Sequence, residues 1–337
     1  MVINFEHRRA AHCETGVTSN LLHFYGYQLS ESMIFGIGEG LTFIYIPFVP
    51  YKGNALKFAF RSFPGSIFAR TMKKLGVKIG MKRFVNKEEA MSEMDKLLAE
   101  GIPVGNVVGL YHLPYSPVRA HFNAHNLCVL GKEGDQYTIS DPCWHDTLIN
   151  ISYSDLMKVR FSEGAFKQHG KMYWIKEQPV IEEDIRHIIV KSIQKTCKRM
   201  NGFPGVSSFG ARGIVTLSKK VRKLGKRYGE KDAMLYLASL VQAIEEIGTG
   251  GAGYRYMYGI FLHEAAELLE RPELKDFSAE ITRVGDLWRQ FALECVRKFK
   301  KRTNASYNDL AEMVLEIAAA EKNFFISLRD YIRGCRK

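Results

Sequence analysis

A cysteine, a histidine and an aspartate lie far apart in this 337-residue chain, yet each sits where acyl-transfer chemistry would need it. A thiol attacks acyl carbon as the thiolate, and a free cysteine with pKa near ~8.5 is mostly protonated at neutral pH. Cys13 begins a stretch in which Val17, Leu21, Leu22, Phe24 and Tyr25 recur at helical spacing before Gly26, which predicts a helix with the thiol at its N-terminus. Unpaired N–H groups and about half a positive charge there favour the thiolate and offer an oxyanion site. The proton needs a base, and the chain supplies a distant one. His125 heads the apolar run 126–130, residues 131–135 read as a turn, and the run 137–140 ends at Asp141. A hairpin of those strands brings its two ends level, so His125 and Asp141 become neighbours. Cys13 is then the nucleophile, His125 the base and Asp141 the group that orients the base.

These groups need a helix, a sheet and a scaffold to hold them. A buried strand is read over 41–49, leading to a loop with Lys52, Gly53 and Asn54. Amphipathic helices follow over 62–75 and 86–100, the second stopped by Gly101. The short apolar or alternating runs 103–110, 126–130, 136–140 and 146–151 predict an antiparallel sheet, completed by a helix over 153–159 and a strand over 171–175. Gln178 and Pro179 mark a boundary, so the first domain spans 1–178. From Ile181 the pattern is helical, broken at 201–205, Gly229, 248–253 and 271–272, which predicts an all-α second domain over 181–337. The aromatic cluster Phe35, Phe43, Tyr45, Phe48, Tyr51, Phe58 and Phe60 reads first as core and, on a functional reading, as an acyl tunnel.

Composition narrows the class. The chain is 46% apolar and 25% charged, the balance of a globular protein, and its length favours two domains. No run nears the ~20 apolar residues that span a bilayer, and the N-terminus lacks the basic-then-apolar order of a signal peptide, so a cytoplasmic protein without membrane insertion is expected. Six cysteines without a CxxC pair argue against a disulfide framework or thiolate zinc site. His121 and His125 have metal-pair spacing, but Pro114, Pro117 and the following strand deny them a helix, so no metal is expected. Gly36, Gly38 and Gly40 read as turn glycines rather than a nucleotide loop. The net charge is +12 and the pI about 9.3. Residues 1–180 carry 20 basic and 16 acidic side chains and residues 181–337 carry 28 and 20, so the second half holds most of the excess. The run Lys219, Lys220, Arg222, Lys223, Lys226 and Arg227 is either a solvated helix or a docking surface. An acidic partner is expected; nucleic acid is disfavoured for want of a motif or stacking platform.

The pattern His-Cys-Glu-Thr-Gly at 12–16, followed by Phe-Tyr-Gly-Tyr-Gln-Leu-Ser-Glu-Ser-Met-Ile-Phe-Gly-Ile-Gly-Glu-Gly-Leu at 24–41, resembles the N-terminal domain of the butirosin biosynthesis protein H family, over about residues 5–178. The His-x-x-x-Val-Leu run with its Asp-Pro ending is also similar to the bacteriocin-processing cysteine peptidases attached to export transporters. The second half, with Gly-Thr-Gly-Gly at 248–251 and Phe-Leu-His-Glu-Ala-Ala at 261–266, resembles the helical domain that usually follows. The resemblance implies an α+β protein: a papain-like catalytic domain, then an all-α domain. It implies an acyltransferase of biosynthesis, moving an acyl group from an acyl carrier protein or coenzyme A thioester to a small amine, with Cys13, His125 and Asp141 as its triad. No tightly bound cofactor is implied beyond a donor's phosphopantetheine arm, and the carrier protein would be the acidic partner. One departure from papain-like peptidases is that no glutamine precedes Cys13 as an oxyanion donor; His7, His12 or the backbone would have to serve. Candidate substrate-binding residues are His12, Glu14 and Thr15 beside the thiol, and Thr249, Gly250, Gly251 and Arg255 at a helix start, where the glycines equally suit a break between close-packed helices. A cysteine peptidase or amidase, with water in place of the amine, and a non-catalytic scaffold binding a carrier protein or acyl chain are the alternatives.

Overall fold

The structure is a computed structural model that describes residues 2–46, 58–116, 121–164, 167–181, 183–203, 205–246 and 250–334. Phe48, Tyr51, the loop 52–54 and Thr249 lie outside the described residues. The chain forms two compact units, one of residues 1–34 with 64–183 and the other of residues 35–63 with 184–337. The 35–63 segment, assigned above to the first domain, therefore groups with the helical half.

Elements are numbered through the whole chain. In order, the first half runs α1 (Cys13–Phe24), α2 (Glu31–Ile37), β1 (Leu41–Tyr45), β2 (Phe58–Arg61), α3 (Ser66–Lys74), β3 (Ile79–Lys82), α4 (Lys87–Ala99), β4 (Val104–Val108), β5 (His125–Glu133), β6 (Gln136–Ser140), β7 (Ile149–Ser152), α5 (Tyr153–Arg160) and β8 (Met172–Ile175). The first unit is built on an antiparallel six-stranded sheet in the order β3-β8-β4-β5-β6-β7.

Its central strands alternate faces with period two. Leu127 and Val129 of β5 join Val104 and Val108 of β4 in a core closed by Met91, Met94 and Leu98 of α4. Asn126, between them in phase, reaches the opposite face and meets Cys13 at the start of α1. The helix ends follow from local chemistry. Asn86 caps α4 by accepting the Glu89 N–H at 2.8 Å, and Gly101 follows α4 at φ 77°.

The β5–β6 hairpin differs from the expected five-residue turn. β5 continues to Glu133 opposite Gln136, and Gly134 at φ 57° forms the tight corner. The register shifts by one at a bulge between Val129 and Gly131, and residues 131–133, read as turn, are paired strand. The short strand Ile-Gly-Met-Lys of β3 gave no readable alternation in the sequence.

The second unit has β1 and β2 paired as a two-stranded antiparallel sheet, followed by α6 (Ile185–Met200), α7 (Gly210–Arg222), α8 (Leu224–Arg227), α9 (Glu230–Val241), α10 (Arg255–Leu268), α11 (Glu273–Phe299) and α12 (Tyr307–Gly334). Phe43 and Phe60 of the small sheet pack on Trp288 of α11, with ring centroids 5.9 and 5.0 Å apart. Among the described residues no helix is long and apolar enough to cross a membrane.

Candidate active site

Cys13 is the first residue of α1, behind the cap residue His12, whose Nδ1 accepts the Thr15 N–H at 3.4 Å. Glu31 of α2 steadies the approach by accepting the Ala11 N–H at 2.9 Å and the His12 N–H at 3.3 Å. The Cys13 amide thus belongs to the first helical turn, where geometry leaves N–H groups without intrahelical partners. Cys13 is buried, 9% exposed as a residue.

His125 opens β5 and Asp141 follows β6. The imidazole Nε2 donates to Asp141 Oδ2 at 2.7 Å, and both groups are buried. That bond commits Nε2 to Asp141, while the residues on either side of His125 meet the Cys13 sulfur, the Ala124 carbonyl at 4.0 Å and the Asn126 amide at 3.6 Å. The carboxylate is itself held. Tyr115 donates its hydroxyl to Oδ2 at 3.0 Å, and the Cys143 N–H donates to Oδ1 at 3.1 Å. Trp144 stacks on the imidazole at 4.5 Å and 11°.

Asn126 supplies a donor from below. Its Nδ2 lies 3.1 Å from the Ala124 carbonyl, which can only accept, so the amide group and not the oxygen must face that side. The second Nδ2 hydrogen is then directed at the Cys13 sulfur, 3.6 Å away, while Oδ1 accepts the Tyr173 hydroxyl at 2.9 Å.

The electrostatics follow from these contacts. A hydrogen bond from the Cys143 thiol pulls the Cys13 pKa well below the ordinary thiol range, against the upward push of burial and with help from His125. Burial alone would lower the His125 pKa, but the Asp141 charge and hydrogen bond, together with Cys13, raise it to about 10. Burial pushes Asp141 up and His125 more than offsets this, so its carboxyl stays below its usual range. Both directions favour the charged pair, a thiolate beside an imidazolium.

Other residues singled out in the sequence have different surroundings. Glu14 does not face a substrate: its Oε1 accepts the Ile67 and Phe68 N–H groups at 2.8 and 3.2 Å and its Oε2 that of Gly65 at 3.0 Å, so the carboxylate caps α3. Thr15 donates its hydroxyl to the His12 carbonyl at 3.2 Å, and both serve the α1 cap. His7 does not supply an oxyanion donor. Its Nε2 donates to the His145 carbonyl at 2.9 Å, which leaves Nδ1 to accept from Ser140 Oγ at 2.8 Å. His121, four residues before His125, stacks on Tyr111 at 4.0 Å. Arg255 is fully enclosed in the helical unit, where Nε donates to Glu321 at 2.8 Å and Nη1 to the Gly253 carbonyl at 2.6 Å. It is a core ion pair and not a ligand contact. Gly250 and Gly251 have φ of 61° and 88°, the conformation of a chain reversal ahead of α10.

Sequence reasoning missed Cys143, Trp144, Tyr115, Asn126 and Tyr173. The segment Asp-Pro-Cys-Trp-His at 141–145 supplies the carboxylate, a thiol partner and the ring that covers His125, although only its first two residues stood out in the sequence.

A cysteine at a helix start set against a sheet that carries a histidine and an aspartate is the arrangement of a papain-like cysteine-enzyme fold. Residues 12–142 match the family model of the butirosin biosynthesis protein H N-terminal domain, and residues 154–328 match a domain of unknown function (DUF4872). The second match spans over half of the chain, which belongs to that family, with a butirosin biosynthesis protein H N-terminal domain ahead of it. A crystal structure described as a C39-like peptidase from Bacillus anthracis is similar to 52% of the chain over 98% of its own length, at 14% identity and a TM-score of 0.37. No curated protein matches the chain.

Proposed function

We propose that the protein is a cysteine-dependent acyltransferase. It takes an acyl group from a thioester, on an acyl carrier protein or coenzyme A, holds it on Cys13 and delivers it to an amine. The observation that carries this reading is a cysteine at a helix start whose sulfur lies 4.0 Å from the Ala124 carbonyl and 3.6 Å from the Asn126 amide, on either side of His125, whose Nε2 is held on Asp141 at 2.7 Å.

The steps use this chain's own groups. The Cys13 thiolate attacks the thioester carbonyl, and the first-turn N–H of α1 faces the developing oxyanion. The tetrahedral intermediate collapses, and the His125 imidazolium gives its proton to the leaving thiolate. One thioester has replaced another, so loading is nearly balanced in energy. The neutral imidazole then takes a proton from the attacking amine, and collapse to the amide returns Cys13 as thiolate. Asp141 and Tyr115 keep the ring in the tautomer that both steps need. The match to a biosynthesis protein favours bond formation over breakdown, and the +12 charge suits an acidic carrier protein, with effects chiefly on encounter rate.

The test is intact-protein mass spectrometry after mixing with acyl carrier protein and acyl-coenzyme A thioesters, beside Cys13→Ala. An acyl adduct on Cys13 that persists in water and is discharged by an amine supports the transferase. Discharge by water alone at the same rate would make it a hydrolase. No adduct from any donor, with a cysteine inert to iodoacetamide at neutral pH, would sink the nucleophile assignment and favour a binding scaffold.

A further inference from the structure

The first unit places a second thiol against the nucleophile, and local packing explains why. Pro142 accepts the Ala10 N–H at 2.9 Å, and its ring lies over Gly16, where an added Cβ would come within 3.0 Å of Pro142 Cγ and 2.4 Å of Ala10 Cβ. Gly16 lies three residues after Cys13, on the same side of α1, so the loop following Asp141 can settle on the first helical turn. Asp141 Oδ1 holds the Cys143 N–H at 3.1 Å while Oδ2 holds His125, so one carboxylate fixes both neighbours of the nucleophile. Cys143 follows Pro142 in this loop and is partly open to solvent, and its thiol is the largest influence lowering the Cys13 pKa.

We propose that Cys143 is a resolving cysteine for Cys13, so that oxidation by a peroxide closes a reversible Cys13–Cys143 disulfide that switches the site off and spares the nucleophile from permanent damage. This rests on the reading of Cys13 as a thiolate and not on the identity of the acyl donor or acceptor.

The chemistry balances with hydrogen peroxide as oxidant. The Cys13 thiolate attacks one peroxide oxygen, the S–O bond forms, the O–O bond breaks and hydroxide leaves, which oxidises the sulfur by two electrons to the sulfenic acid. The Cys143 thiol gives up its proton and attacks that sulfur. The S–S bond forms, the S–O bond breaks and water departs. Cys143 suits the second role and not the first, because in the resting site it holds the shared proton while Cys13 carries the charge. Without a thiol in contact, a sulfenic acid is open to further peroxide and reaches the irreversible sulfinic and sulfonic acids. Cys128, Cys197 and Cys295 are buried free thiols, and burial raises the pKa of each, so they serve as internal controls.

The test is a peroxide titration of the full chain, read by non-reducing intact mass and peptide mapping. Cys13 is first shown to alkylate with iodoacetamide, then wild type and Cys143→Ser are oxidised. Wild type should lose about 2 Da, yield one Cys13–Cys143 linked peptide and regain iodoacetamide reactivity with dithiothreitol. Cys143→Ser should gain about 32 or 48 Da at Cys13, with the recoverable fraction reduced at least tenfold. Should the serine variant fold poorly, Cys143→Ala replaces it, and the linked peptide in wild type decides independently. Overoxidation of Cys13 in wild type to the same extent as in the variant, or a bridge to any other cysteine, overturns the proposal. If Cys13 fails to alkylate before any peroxide is added, the thiolate reading falls and the resolving role falls with it, a failure distinguishable from the first two.

Discussion

Each unit buries a charged cluster, and the two are built to opposite ends. In the helical unit, Glu321 Oε1 accepts from Arg255 Nε at 2.8 Å and from Trp288 Nε1 at 2.7 Å, with the guanidinium also lying over the rings of Phe60 and Trp288. In the sheet-bearing unit, Asp141 accepts from His125, and the ring of Trp144 stacks on the imidazole. Burial of the groups is comparable, so burial does not distinguish them. Proton mobility does. A guanidinium keeps its proton at any accessible pH, which makes the Arg255 cluster a fixture, whereas thiol, imidazole and carboxylate exchange one proton among themselves. A buried charge becomes a candidate for chemistry when its partners can trade protons and one of them meets solvent.

The contrast can be tested by separating reactivity from stability. Cys13→Ala should abolish every acyl and iodoacetamide adduct at neutral pH while leaving the thermal midpoint within a few degrees of wild type, read by mass spectrometry and calorimetry. Asp141→Asn should slow Cys13 acylation by about 10²-fold or more, because the ring loses the partner that sets its tautomer. Stopped-flow acylation rates check this. Glu321→Ala should do the reverse: a loss of about 3–5 kcal/mol from an uncompensated buried guanidinium, measured by urea unfolding, with Cys13 alkylation per folded molecule unchanged. Asn126→Ala should raise the pH at which alkylation is half-maximal and cost roughly tenfold in reactivity at pH 7, since a hydrogen bond to a charged group is worth about 1.5–3 kcal/mol.

A separate expectation is a pH dependence of stability. The folded His125 pKa, about 10, lies above its ordinary 6.5. The folded state therefore binds this proton more tightly than the unfolded chain does, and the resulting stabilisation is complete below 6.5 and lost as pH rises through 10. The stability gap between wild type and His125→Ala should narrow across that window in urea unfolding series. A gap that stays constant would mean that the imidazole is neutral in the folded protein and that the site rests as thiol and imidazole.

Much of this site could be read from spacing. Helix α1 follows from its apolar periodicity, and the adjacency of His125 and Asp141 follows from two strands of equal length, even though the turn between them is shorter and β5 longer than the residues suggested. The bulge at 129–131 takes up the difference. What spacing does not encode is contact across the fold. Tyr173 reaches Asn126 from β8, two strands away in the sheet, and nothing in the order Lys-Met-Tyr-Trp-Ile marks its hydroxyl as a brace. Glu14 beside the nucleophile looked chemical for the same reason that it is structural, since a carboxylate at that depth must find donors and the free N–H groups of α3 are there. The 35–63 segment was assigned by chain order, whereas its aromatic residues are matched to the rings of a helix more than 200 residues later.

The interleaving of the two units has a consequence for synthesis. Strand β8 lies between β3 and β4, so the six-stranded sheet is incomplete until residue 175 has been made. By then β1 and β2 have long been available, but Trp288, on which their rings pack, has not. A nascent chain therefore carries the exposed aromatic residues Phe43 and Phe60 through the translation of most of the helical half. At about 5–20 residues per second, that interval lasts on the order of ten seconds. During it the earlier-made unit has all of its strands, while the hairpin inserted within its sequence still waits for the last third of the chain.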